Sequence, residues 1–153
     1  MGKVCVFIGH RDAQPAIWEK LLAAVEFTIN ELGVTEFYVG GYGRFDSMAA
    51  EAVRNAKQLH PETRLYLIYA YLPVHKDDFM IERYDATLFL EGLESSPRRF
   101  AISKRNRWMV DQASAIIAYV EHGWGGAYQT LEYARKRSAK AQILNLGAHT
   151  VSL

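Results

Sequence analysis

The chain has 153 residues, the size of one compact domain, and is 50% hydrophobic and 23% charged, enough apolar material for a core without staples. Its formal net charge is +1, so no global field draws it to nucleic acid or to anionic membrane; a nucleic-acid partner would need a local basic patch, no clustered basic face is read from the sequence, and no such partner is expected. Cys5 is the single cysteine and cannot form an internal disulfide; there is no charged-then-apolar leader and no apolar run of about 18 residues, so a cytoplasmic protein with no membrane partner is expected.

Read in chain order, KVCVFIG is short, β-branched and apolar, and predicts a buried strand. The next segment repeats Ile17, Leu21, Val25, Thr28 and Leu32 at helical spacing and stops at Gly33. EFYVGG predicts a second strand. DSMAAEAVRNAKQLH predicts a second helix with Met48, Ala52, Val53, Ala56 and Leu59 on one face, before Pro61 breaks the pattern. RLYLIYAYL predicts a third strand. Residues 72–99 are less regular, hold Pro73 and Pro97, and contain ATLFLEG, which fits either a strand or part of a helix. RRFAISKRNRWMVDQA predicts a helix, SAIIAYV a strand, AYQTLEYARKRS a helix and AQILNLG a last strand. No repeat, linker or low-complexity segment interrupts the chain. The alternation predicts one α/β domain over residues 1–153, Rossmann-like, with a mostly parallel sheet and helices on both faces.

In such sheets ligands bind beyond the carboxyl ends of the strands, near the point where strand order reverses. Three strand ends carry glycine there: Gly9-His10-Arg11, the run from Gly40 through Gly41 and Gly43 to Asp46, and the run from Glu121 to Gly125 and Gly126. Glycine lets backbone approach a ligand, and each following helix offers free N–H groups and the positive end of its dipole, a setting for phosphate. The plainer alternative is that the glycines only permit tight turns. The run GYGRFD also fails as a dinucleotide fingerprint, because Asp46 stands where the third glycine belongs. His10 and Arg11 are read either as a surface ion-pairing pair or, for Arg11, as a phosphate ligand. Asp46 is read first as a helix N-cap and second as an acceptor for a ribose hydroxyl. His122 is read as an exposed turn residue. On the helix around KRNRWMVD, a buried stripe of Ile102, Asn106, Met109, Val110 and Ala113 places Asn106 inward, with Arg105 at the border, either snorkelling or reaching into the site. Glu132 either faces the cleft from the early turns of the last helix or pairs on the surface with Lys136. No metal site and no certain cofactor is expected.

Three segments carry a family resemblance: VFIGHR, GGYGRFDSMAAEAV and KRNRWMVDQASAIIAYVEHGWGGAYQTLEYARK. They are similar to the YpsA-like proteins of the SLOG superfamily, which also holds the Lonely Guy (lysine-decarboxylase-like) and DprA proteins. The resemblance implies a Rossmann-like domain that binds a nucleotide or nucleotide derivative in the cleft. Lonely Guy enzymes cleave the N-glycosidic bond of nucleoside monophosphates. Of their motifs Arg105, Met109, Gly125, Gly126 and Glu132 are present, while Asn106 replaces a lysine and Trp124, Tyr128 and Gln129 replace a proline, a glycine and a threonine.

Two functions follow as expectations. The first is a binding module, a sensor or regulator holding an ADP-ribose or NAD-like ligand, with Arg11 and the Gly40–Gly43 and Gly125–Gly126 turns on phosphate, and Arg105 and Glu132 on the sugar. The alternative is a nucleotide N-glycosidase in which Arg105 and Glu132 are catalytic. With 3 Trp, 9 Tyr and 7 Phe, some aromatic surface is expected to be exposed, which suits a homodimer.

Overall fold

The structure is a computed structural model and describes residues 2–71, 83–137 and 141–147. The end of the expected third strand and the stretch around Pro73 lie outside the described residues. Six strands form one sheet: β1 (Lys3–Gly9), β2 (Val34–Val39), β3 (Arg64–Tyr69), β4 (Ala86–Phe89), β5 (Ala115–Tyr119) and β6 (Gln142–Asn145). Among the described residues four α-helices accompany them: α1 (Trp18–Leu32), α2 (Arg44–Lys57), α3 (Arg98–Gln112) and α4 (Gly126–Lys136). Short 3-10 turns at Pro15–Ile17 and Leu93–Ser95 lead towards α1 and α3. The ambiguous ATLFLEG segment supplies β4.

Every strand pair is parallel and the order is β4-β3-β2-β1-β5-β6. The chain steps outward from β1 to β4, then returns to the other side of β1 for β5 and β6. Strand order therefore reverses between β1 and β5, where Val6 sits between Tyr38 of β2 and Ile116 of β5. This is a Rossmann-like α/β fold. Because both faces of a parallel sheet are covered, β1 and β5 are continuous apolar runs rather than alternating ones, and all of β5 is buried.

Alternate residues of β1 feed two cores. Cys5 and Phe7 point to the side where Leu21 and Val25 of α1 and Phe45, Ala49 and Val53 of α2 pack, together with Phe37, Leu65 and Ile117. Val4, Val6 and Ile8 point to the other side, against Met109 and Val110 of α3 and Leu131 and Ala134 of α4. The expected inward stripe of α1 is present in Ile17, Leu21, Val25 and Thr28, and the helix closes at Gly33 in the left-handed region (φ 73°), its amide returning to the Thr28 carbonyl.

Two details differ from the sequence reading. Leu59 lies beyond the end of α2 and is 78% exposed rather than on its buried face. On α3 the buried positions are Ala101, Arg105, Met109 and Val110, so the stripe is shifted and Arg105, not Asn106, lies at its centre.

Gly9 ends β1 directly under Phe45: a Cβ there would lie 2.3 Å from the Phe45 ring. We expect Gly9→Ala to cost about 1–3 kcal/mol through overpacking. Urea denaturation checks this, and an unchanged midpoint would show that the Phe45 ring can move aside freely.

Candidate functional site

A cleft of about 410 Å3 opens at the carboxyl edge where strand order reverses. It is lined by Gly9, His10, Arg11 and Asp12 after β1, by Gly40, Tyr42 and Asp46 after β2, by Ile102, Arg105 and Asn106 of α3, and by His122, Trp124, Gly125, Gly126 and Ala127 after β5. The size is that of a small-ligand site. Most residues singled out in the sequence come together here. Gly41, Gly43 and Glu132 do not line it.

The turn after β2 is filled from within. Arg105 is only 3% exposed, and its Nη1 donates to the Gly40 carbonyl (2.8 Å) and the Ile68 carbonyl (3.0 Å), while Nε donates to Asn106 Oδ1 (2.8 Å). Burial lowers its pKa, and the nearby Asp46 charge opposes that shift. Asp46 is not the N-cap of α2. That place is held by Gly43 without a side-chain cap, and Asp46 is in the first turn, where its carboxylate accepts the Tyr42 amide (3.0 Å). Burial pushes its pKa up to about 6, against the pull of Arg105 and of that amide. The Arg44 amide is taken by the Arg11 carbonyl (2.8 Å). The glycines of this turn are packing requirements: a Cβ on Gly40 would meet the Arg105 guanidinium at 2.7 Å, on Gly41 the Leu67 side chain at 2.6 Å, and on Gly43 the Arg11 Cβ at 2.4 Å.

The turn after β5 is open. Gly125 caps α4 in a positive-φ conformation (95°), again without a side-chain cap. A Cβ on Gly126 would meet nothing within 4 Å. Among the described residues, no hydrogen-bond partner is found for the amides of Gly126, Ala127 and Tyr128; the Gln129 amide is the first to bond, to the Gly125 carbonyl (3.0 Å). Arg11, exposed, also lines the cleft; its Nη1 donates to the Tyr42 hydroxyl (3.0 Å) in the turn after β2, and no acid pairs with it among the described residues.

Three side chains form a column that the sequence did not reveal. The His10 ring stacks on His122 (centroids 3.9 Å, 15°), and His122 stacks on Trp124 (3.8 Å, 16°). His10 Nε2 accepts the Glu121 amide (3.0 Å), which fixes a neutral ring with its proton on Nδ1; burial, then His122, lowers its pKa. His122 Nδ1 donates to the Trp124 carbonyl (3.0 Å). Asn145 of β6 was also missed. Its Oδ1 accepts the Val120 amide (3.0 Å) and its Nδ2 donates to the Val120 carbonyl (3.1 Å), so the loop leaves β5 from a fixed point.

Glu132 is placed elsewhere. It accepts from Arg135 Nη1 (2.8 Å), one helical turn on, and lies outside the cleft lining. Its surface partner is thus Arg135, not Lys136. Among the described residues, no group of three or more His, Cys, Asp and Glu is placed to hold a metal ion, and no helix is long and apolar enough to cross a membrane.

Among solved structures, DNA processing protein A (DprA) from Streptococcus pneumoniae matches with a TM-score of 0.66 at 19% identity, over 89% of this chain and 47% of that one. DNA processing protein A from Helicobacter pylori, described for its single-stranded DNA binding mode, matches with a TM-score of 0.56 at 14% identity, over 92% of this chain and 69% of that one. The chain thus spans about half the length of the streptococcal protein. At these identities the likeness is one of fold. No protein-family model and no curated protein sequence matches the chain. The expectation of no nucleic-acid partner is overturned, because a protein of this fold is described by its binding of single-stranded DNA. What the sequence reading missed is a local cluster: α3 alone carries Arg98, Arg99, Lys104, Arg105 and Arg107, all but Arg105 exposed.

Two outcomes follow. Arg105→Met leaves two buried carbonyls without their donor and should cost about 2–4 kcal/mol in denaturant unfolding; a loss below about 0.5 kcal/mol would mean the ends of β2 and β3 hold without it. Asp46 has a folded pKa of about 6, above its unfolded value, so its favourable contribution is present below about pH 4 and is lost as pH rises through 6. Asp46→Asn should therefore stabilise the fold at pH 8, on the order of 1–2 kcal/mol, with the gain vanishing near pH 4. Melting curves across that range check the sign.

Proposed function

We propose that the chain binds a nucleotide or nucleotide derivative in the cleft between the carboxyl ends of β1 and β5. The observation that carries this is the open, glycine-capped start of α4: its first amides have no partner among the described residues and border a cleft that Arg11 also lines. A helix N-terminus beside a cation is an anion site, and a phosphate ester suits it. In this reading Arg11 and the amides of Gly126 to Tyr128 hold the phosphate. Asp46 accepts from a sugar hydroxyl, the part earlier given to Glu132. Arg105 and Asn106 act by positioning the floor of the cleft. An ADP-ribose or NAD-like ligand and a sensor or regulatory role fit a site with this chemistry, and the motif resemblance to YpsA-like proteins supports it.

A second reading has its own observation. The exposed cations of α3, the helix that supplies Ile102, Arg105 and Asn106 to the cleft, suit the backbone of a nucleic-acid strand. The fold shared with the Helicobacter pylori protein supports it. The N-glycosidase reading loses its carboxylate, since Glu132 is outside the cleft.

Gly126→Asp separates binding from folding. An aspartate at the first position of a helix favours the fold through the dipole, yet sets a negative charge where the phosphate belongs. With adenosine 5′-monophosphate (AMP), ADP-ribose or NAD at a hundred times its dissociation constant, the wild-type protein should gain about 2.7 kcal/mol and melt higher. Gly126→Asp should melt normally without ligand and lose that gain, Arg11→Ala should reduce it, and Glu132→Gln should leave it unchanged. No shift with any nucleotide, together with salt-sensitive binding of a short single-stranded oligonucleotide, would put the strand reading first.

A further inference from the structure

We propose that the outer face of Trp124 is the stacking platform for a purine base, the far end of the ligand whose phosphate sits at the start of α4. The inference rests on the nucleotide reading above and assigns the part of the site that reading leaves open. Trp124 has one face covered by His122 at 3.8 Å and is still 69% exposed, and among the described residues no ring stacks on its other face. It lines the cleft and belongs to the same turn as the open amides, with only Gly125 between it and Gly126. A base on the indole and a phosphate on those amides are therefore the two ends of one nucleotide.

The column beneath the indole is what makes it a platform rather than a loose surface ring. His10 is 8% exposed, its backbone amide donates to the Tyr119 carbonyl (3.2 Å) and its Nε2 is engaged by the Glu121 amide. His122 is held by the Trp124 carbonyl. Three near-parallel rings thus stand on the ends of β1 and β5, and the outermost rests on His122 before any ligand arrives. A preorganised ring loses little freedom when a base covers it. Stacking uses the π-face that every base has, and the two fused rings of indole match a purine in area better than a pyrimidine.

Calorimetric titration with AMP and with ribose 5-phosphate, which has the phosphate and sugar but no base, tests the platform. Trp124→Ala should weaken AMP about 10- to 100-fold and leave ribose 5-phosphate unchanged, while Trp124→Phe should keep most of the AMP affinity. AMP, but not ribose 5-phosphate, should also quench the tryptophan emission of the wild-type protein. If both probes bind the wild-type protein and Trp124→Ala binds AMP equally well, the platform is wrong and the nucleotide reading stands. If neither probe binds the wild-type protein, the nucleotide reading fails and the platform falls with it.

Discussion

One buried cation organises the carboxyl edge of the sheet. A guanidinium almost without solvent must find partners for its donors and its charge, or the burial is too costly to keep. Arg105 finds them on four elements at once: the carbonyls that end β2 and β3, its neighbour Asn106 on α3, and the Asp46 charge on α2. Those contacts determine what else can be built nearby. A side chain on Gly40 would displace the Arg105 guanidinium, Asp46 sits in the first turn of α2, and Arg105 ties α3 to the ends of β2 and β3. Arg105 lines the cleft, but most of its bonding capacity is spent on the protein itself.

The same constraint explains why two turns of similar composition differ. Both precede helices whose N-cap is a positive-φ glycine with no side-chain cap. After β2, the Asp46 carboxylate takes the Tyr42 amide, the Arg11 carbonyl takes the Arg44 amide and Arg105 takes the Gly40 carbonyl, and each glycine makes room for a named neighbour. After β5, a Cβ added at Gly123, Gly125 or Gly126 would meet described neighbours at ordinary contact distance or not at all. That leaves the first amides of α4 beside open space, where water or a ligand can reach them.

Much of this was legible in the sequence. The apolar runs of β1 and β5, the spacing of α1 and the glycine at each strand end lead directly to a parallel sheet and to its reactive edge. The phase of α3 was not legible, because an apolar-versus-polar reading sends arginine outward, and only the carbonyls of Gly40 and Ile68, distant in sequence, make it an inward residue. The ring column was invisible for a related reason: His10 and Trp124 meet through His122 only because β1 and β5 are neighbours. Of the two readings of Glu132, the structure shows a surface ion pair, made with Arg135 rather than with Lys136. The nucleic-acid exclusion missed the cations that α3 gathers along its exposed side.

Asp46 gives the cleft a chemical memory of pH. A dianion entering the same cleft as a carboxylate raises the cost of keeping that carboxylate ionised, and a group already shifted to about 6 needs little further persuasion to take up a proton. Occupancy and protonation therefore reinforce each other, and by reciprocity each strengthens the other equally. On the nucleotide reading, filling the site with an anion would be a proton-coupled event: near neutrality the protein would draw a fraction of a proton from the buffer, and the heat of binding would depend on the buffer's own ionisation enthalpy.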